Sequence, residues 1–319
     1  SSSRQITMVN QRALLLLGLE SPPIGATLLE IVRSPILEEI VLQSLDGASA
    51  SGEFDFGLEP TRRLLARATP LEATNGCVIV LMDVTELRRL ERVRRDFLAN
   101  VSHELRTPVS VIRANAETLL DGALHEPANG TRFIESIMRD SERLSNLVSD
   151  LLDLSRIESA AFTPERVPVG ILPVVRGVVQ TIEEMAVRKS QTITLDIDAG
   201  DRVLGDPQGV EQVLLNLIDN AVKYTPENGT IIIRTSAPGE PGVIAIEVED
   251  DGPGIEPPHR DRIFERFYRV DAGRSRAQGG TGLGLSIARN LIDSMGGEIG
   301  FEPVSPHGSL FRIILPAVK

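Results

Sequence analysis

The chain has 319 residues, is 41% hydrophobic and 24% charged, and carries a formal net charge of -12; this suits two or three folded domains and excludes a disordered chain. The acidic balance argues against nucleic acid or an anionic membrane surface as the principal partner. Cys77 is the only cysteine, so an intrachain disulfide and a cysteine-based zinc site are excluded, as suits a reducing, cytoplasmic setting.

No apolar run approaches the ~18–20 residues of a membrane span; Arg12-Ala13-Leu14-Leu15-Leu16-Leu17-Gly18 is too short and lacks signal-peptide flanks. A start of three serines without methionine reads as a fragment of a longer chain. Residues 1–84 alternate short apolar runs with turn residues. The pattern predicts a strand at Gln5–Val9, helical stretches through Leu29–Leu42, and strands at Glu53–Phe56, Arg63–Thr69 and Cys77–Met82. Together with Ile6-Thr7-Met8-Val9-Asn10 and the closing Asp83-Val84-Thr85-Glu86-Leu87, this order resembles a PAS sensor domain, short for its family and missing a first strand. No histidine precedes His103, so haem ligated by histidine is excluded within the segment. Cys77, in an apolar strand, reads as a packed core thiol.

Residues 85–124 predict one long helix, in which residues advance by ~100° each. Val101 and Leu105 fall on its apolar side with Leu87, Leu90, Phe97, Ile112 and Leu119, which leaves His103 on the polar side. Imidazole is a nucleophile near neutral pH, and the adjacent Glu104 can accept its proton. Pro108 cannot donate to the carbonyl of Glu104, so a bend beside the histidine is expected. Taken alone, Ser102-His103-Glu104-Leu105-Arg106-Thr107-Pro108 fits a solvated histidine before a proline kink equally well. A second helix is expected over Thr131–Ile157, with Ile137, Leu144, Leu147, Leu151 and Leu154 in one stripe, after a turn at Gly122–Gly130. Such a hairpin leaves apolar surface uncovered, and pairing with a second copy into a four-helix bundle would cover it.

Ser159–Pro168 reads as a linker, and residues 169–319 as an α/β sandwich. A helix following Gly205-Asp206-Pro207 carries Asn216 and Asn220 on one face, and a carboxamide oxygen there can ligate magnesium. Lys223 can meet phosphate as a point charge, whereas Arg269 offers a planar fork suited to a terminal phosphate. Asp250 ends a strand before Gly252 and Gly254, where a carboxylate can accept the amine of adenine while glycine backbone comes close to the base; taken alone, the stretch reads rather as a plain Asp-Gly turn. Gly280, Gly282 and Gly284 precede a helix whose free amides can hold phosphates. The spacing is not that of a dinucleotide fold, and no Gly-Lys-Ser/Thr of a P-loop occurs. Residues 256–279 read as a lid in which Phe264 and Phe267 act as latches.

Five ordered segments carry a resemblance from about residue 85 to the end: the stretch around His103, then Asn216–Pro226, Asp250–Ile255, Phe264–Arg269 and Gly280–Leu285. They resemble the phosphoacceptor, N, first glycine, F and second glycine boxes of bacterial sensor histidine kinases of two-component systems. The run Leu90–Phe97 with its neighbours is most similar to the phosphate-regulon sensors. The resemblance implies a multidomain α+β chain: a PAS-like unit (1–84), a dimeric helical hairpin (85–158), a linker (159–168) and an ATP-binding sandwich of the GHKL type (169–319). It implies catalytic roles for His103, Glu104, Thr107 and Asn216. Nucleotide contacts are implied for Asn220, Lys223, Tyr224, Asp250, Gly252, Gly254, Ile255 and Arg269, and for Gly280, Thr281, Gly282, Leu283, Gly284 and Leu285. ATP with Mg2+ bound to Asn220, a homodimer, a response-regulator receiver domain as partner and a parent protein anchored in the inner membrane follow from the same likeness.

The expected reaction is phosphorylation of His103 by ATP, then transfer to an aspartate of the regulator, with Thr107 serving dephosphorylation of that partner. The rivals are an ATPase of the gyrase or chaperone kind and a sensory scaffold with a degenerate site. A zinc protease is excluded because position 107, where His-Glu-x-x-His needs its second histidine, is threonine.

Overall fold

The side chain of Asn10 accepts the Ala13 amide at 2.8 Å and starts α1 (Gln11–Leu17), which Gly18 ends in the left-handed conformation. The computed structural model describes residues 5–57, 61–71, 76–125, 127–159, 162–237, 242–270 and 280–318. They fall into two units, Ser1–Ala99 and Asn100–Lys319.

The strand expected at Gln5–Val9 does not form. Gln5 makes a lone bridge to Thr27, and Ile6 bonds only to the backbone of Gly25 and Ala26. Pairing that begins only at Gln5 and Ile6 among the described residues does not extend into a ladder. After α2 (Leu28–Ile31) and α3 (Pro35–Leu45) come β1 (Ala50–Phe56), β2 (Arg62–Leu71) and β3 (Gly76–Asp83), an antiparallel meander in the order β1-β2-β3. Leu64, Ala66 and Ala68 alternate inward along β2 and meet Val32, Leu37, Ile40 and Phe54. Cys77 packs against this core, as expected, and burial pushes its thiol up. Gly52 lets α3 lie close, since a Cβ there would sit 3.0 Å from Ile40 Cδ1.

Helix α4 (Thr85–Leu120) begins where the Thr85 amide donates to Asp83 Oδ1 at 2.9 Å. It runs unbroken through Pro108, which is buried. A 3-10 turn at Ala123–His125 leads to α5 (Pro127–Glu158). The turn is shorter than expected because proline is tolerated in a first helical turn. Gly130 lets that turn close, as a Cβ there would lie 3.2 Å from the Ala123 carbonyl oxygen. Asn115 Nδ2 donates to Ser136 Oγ at 2.9 Å across the hairpin. Leu147 and Leu154 of the expected stripe are buried, whereas Ile134, Met138, Val148 and Leu152 form a second stripe, 44–67% exposed.

The strand β4 (Val167–Gly170) pairs with β6 (Arg202–Gly205), so the stretch read as a linker already becomes strand at Val167. Residues 160 and 161 of it lie outside the described residues. Helix α6 (Ile171–Arg188) precedes β5 (Thr192–Asp196). Helix α7 (Pro207–Tyr224) is capped by Asp206, which accepts the Gly209 amide at 2.8 Å. Then follow β7 (Thr230–Ser236), β8 (Val243–Asp250), α8 (Pro257–Arg260), α9 (Gly284–Ser294), β9 (Glu298–Pro303) and β10 (Ser309–Pro316). The sheet order is β5-β7-β8-β10-β9, with β5 parallel to β7 and the other pairs antiparallel.

Leu214, Leu217 and Ile218 of α7, Ile287 and Ile292 of α9, and Ile231, Ile233, Ile246 and Val248 of the sheet are buried together as a sandwich core. Intervening strand positions carry charge: Arg234 reaches Glu247 and Glu249 at 2.6 Å, and Arg312 reaches Glu247 at 2.7 Å. The chain is therefore a multidomain α+β protein, a helical hairpin joined to an α/β sandwich. No helix among the described residues is long and apolar enough to cross a membrane.

Candidate active site

Asp250 closes β8 at 5% exposure, and burial pushes its carboxyl up to about 6 against the opposing hydrogen bonds of Gly252 and Ser309. Its Oδ1 accepts the Gly252 amide at 2.9 Å. A Cβ on Gly252 would stand 2.6 Å from that oxygen, so only glycine fits. Gly254 (φ +72°) approaches the Gly308 carbonyl, and Gly308 (φ +131°) in turn touches the Asp250 carbonyl. The Ile255 carbonyl accepts Arg260 Nε at 3.0 Å.

Helix α7 brings the asparagines to the opposite wall. Asn216 Nδ2 donates to the Gly284 carbonyl at 3.0 Å, so this residue pins the start of α9. Asn220, one turn on, is half-buried and has a carboxamide oxygen to offer. Lys223 pairs with Asp219 at 2.6 Å, and Tyr224 is 40% exposed. The end of α7 is tied down by two residues that no motif contains. Lys189 Nζ donates to the carbonyls of Val222, Lys223 and Thr225 at 2.8, 2.7 and 3.1 Å. Gln191 Nε2 donates to those of Val222, Thr225 and Pro226 at 3.1, 2.8 and 3.3 Å.

The third wall joins two distant segments. The Phe267 amide donates to the Gly282 carbonyl at 2.8 Å, with φ +62° at Phe267 and +75° at Gly282. Arg269 Nη2 donates to the Gly280 carbonyl. Thr281 Oγ1 accepts the Leu283 amide at 3.2 Å and donates to Asp150 Oδ2 of α5 at 2.6 Å. Gly284 and Leu285 open α9, whose first turn presents free amides. Phe264 meets Phe311 edge-on at 6.5 Å, a contact suited to the latch role. Residues 271–279 of the expected lid lie outside the described residues.

His103 is exposed on α4, and its carbonyl accepts Thr107 Oγ1 at 3.1 Å. Glu104 Oε2 lies 2.6 Å from Arg143 Nη2 of α5 and 3.7 Å from Arg269 Nη2. Arg266 also pairs with Glu158. The hairpin and the sandwich thus meet through Glu104, Asp150 and Glu158.

Residues 205–319 match the family described as histidine kinase-, DNA gyrase B- and HSP90-like ATPase, and residues 93–160 match the His Kinase A (phospho-acceptor) domain. The sensor-like histidine kinase SenX3 of Mycolicibacterium smegmatis is 34% identical over 300 residues, 90% of this chain and 77% of its own. The chain belongs to the sensor histidine kinases. Sensor histidine kinase WalK of Bacillus subtilis is 37% identical over 245 residues, 76% of this chain but only 40% of its own length. The phosphate regulon sensor protein PhoR of Pseudomonas aeruginosa is 33% identical over 297 residues, 93% of this chain and 66% of its own. Among solved structures, the Acinetobacter baumannii histidine kinase AdeS aligns with a TM-score of 0.55 at 26% identity, covering 68% of this chain and 98% of that one.

In this histidine kinase, sequence reasoning missed Arg143, Asp150, Lys189, Gln191 and Gly308. Only Gly308 had a local signal, the Pro306-His307-Gly308-Ser309 turn before the last strand.

Proposed function

We propose that this histidine kinase binds ATP between Asp250 and the Gly280–Leu285 loop and phosphorylates its own His103. Asp250 would accept the adenine amine, with Gly252, Gly254 and Ile255 lining the base, and Tyr224 would pack near the ribose. Lys223, Thr281 and the amides of Gly282, Leu283, Gly284 and Leu285 would hold phosphates, and Arg269 would take the terminal one. The donor set suits magnesium: Asn220 offers a neutral oxygen, and this ion keeps water and phosphate as its other ligands. When bound, Mg2+ would neutralise charge on the phosphates.

The distal ring nitrogen of His103 donates its electron pair to the γ-phosphorus. The bond from that phosphorus to its bridging oxygen breaks, and ADP leaves with the pair. Glu104 takes the proton from the other ring nitrogen, and Asn216 contributes by fixing the start of α9. Two chains pair through the exposed stripe of α5 into a four-helix bundle. A receiver-domain aspartate of a response regulator then accepts the phosphoryl group, with Thr107 serving its later hydrolysis. The N-terminal unit acts as a PAS-type sensor, within a parent protein anchored in the inner membrane.

The observation that most supports this reading is Arg269, held between the Gly280 carbonyl and Glu104, the neighbour of His103. Incubation with γ-labelled ATP tests it: acid-labile, alkali-stable label should appear and be lost in His103→Gln. Label that survives this change, or ATP turnover with no label, would overturn it.

A further inference from the structure

Arg143 belongs to no sequence motif, yet it pairs with Glu104 across the hairpin. Its Nη2 lies 2.6 Å from Oε2, with side chains only 11% and 14% exposed. Arg269, 8% exposed, brings its own Nη2 within 3.7 Å of the same oxygen. Two guanidinium groups from different elements therefore share one oxygen of one carboxylate.

Such a carboxylate, largely withdrawn from water, is costly without a cation beside it. Arg269 cannot be that cation throughout the reaction. A guanidinium that turns its fork to a phosphate gives up the carboxylate it faced. Arg143, on the same hairpin as Glu104, has no phosphate to follow.

We propose that Arg143 is a positioning residue for phosphoryl transfer. It fixes Glu104 through Oε2 from across the hairpin and keeps that carboxylate paired when Arg269 moves to the γ-phosphate. The pairing would thereby hold the carboxylate in one orientation for its proton transfer with His103. The proposal rests on the role given above to Glu104 as proton acceptor.

Steady-state autophosphorylation of the full chain tests it. Arg143→Met, which keeps the bulk and removes the charge, should lower kcat about 10–100-fold while the KM for ATP stays within about twofold. Arg143→Lys should recover most of the rate. Glu104→Ala with Arg143→Met should be no slower than Glu104→Ala alone, because both changes remove one unit of function. Circular dichroism and sedimentation check that each variant folds and dimerises. Full kcat in Arg143→Met, a loss confined to KM, or losses that multiply in the double variant would each overturn the proposal. Failure of the wild-type chain to label His103 would instead sink the kinase reading on which it rests.

Discussion

Thr281 donates its hydroxyl to Asp150 at 2.6 Å, which bonds the proposed phosphate loop to helix α5. Burial pushes the Asp150 carboxyl up. The Thr281 hydrogen bond opposes that rise, Asp153 and Asp219 add to it, and Lys223 works against it. A nucleotide phosphate would need the same hydroxyl and the same lysine. Nucleotide and carboxylate therefore compete, and by linkage each weakens the other.

Asp150→Asn, which keeps the shape and removes the charge, should tighten ATP binding about three- to tenfold, since one like charge near a phosphate is worth roughly 1 kcal/mol in a partly solvated cleft. Titration with a fluorescent ATP analogue reads this directly. Unchanged or weaker binding would show that Asp150 does not stand in the way of the phosphates.

Asp250 gives a pH prediction. Its folded-state value of about 6 lies above the ordinary 3.8, so the folded chain favours the protonated form. The stability this group contributes is present below about pH 4 and is lost as pH rises through about 6, a span worth roughly 3 kcal/mol. Accepting the adenine amine requires the carboxylate. ADP affinity should therefore fall below about pH 6 relative to inosine diphosphate, which offers an oxygen where ADP has its amine. Comparing the two cancels the titration of the phosphates themselves. A ratio of affinities that stays flat between about pH 5 and about pH 7.5 would remove Asp250 from the base.

Periodicity carried the long elements well. The long helices and the strands of the sandwich were legible from their apolar spacing, although Leu87 and Leu90 of the stripe expected on α4 are 54% and 60% exposed and β8 buries four successive residues. The strand expected at Gln5–Val9 does not form, because its pairing with Gly25–Thr27 stops after Ile6 among the described residues. The glycines and Asp250 stood out as candidates because their spacing is local. Arg143, Asp150 and Lys189 did not, since each works on a partner 33 to 131 positions away, with nothing nearby to distinguish it from a solvated charge.

Lys189 is the structural cation of the N-box end. Its ammonium meets the carbonyls of Val222, Lys223 and Thr225 at the C-terminal end of α7, where the helix dipole also favours positive charge. Lys189→Met should destabilise the sandwich by about 1–3 kcal/mol in urea unfolding. Because Lys223 and Tyr224 sit on the segment it holds, nucleotide affinity should fall as well. A variant with wild-type stability would mean that water replaces the ammonium at no cost.

The exposed stripe of α5 gives the last prediction. Ile134, Met138, Val148 and Leu152 recur at helical spacing and stay 44–67% exposed, although the neighbouring Leu147 and Leu154 are buried within the chain. Apolar residues placed so regularly on one face fit a bundle seam better than scattered surface positions. Each carboxylate put into such a seam appears twice in a symmetric dimer, unpaired and withdrawn from water, at a cost of several kcal/mol. Met138→Glu with Leu152→Glu should therefore yield a monomer at micromolar concentration in light scattering, with ATP affinity near that of the wild type, because the sandwich core shares no residue with the stripe. A double variant that still elutes as a dimer would place the seam on another face of the hairpin.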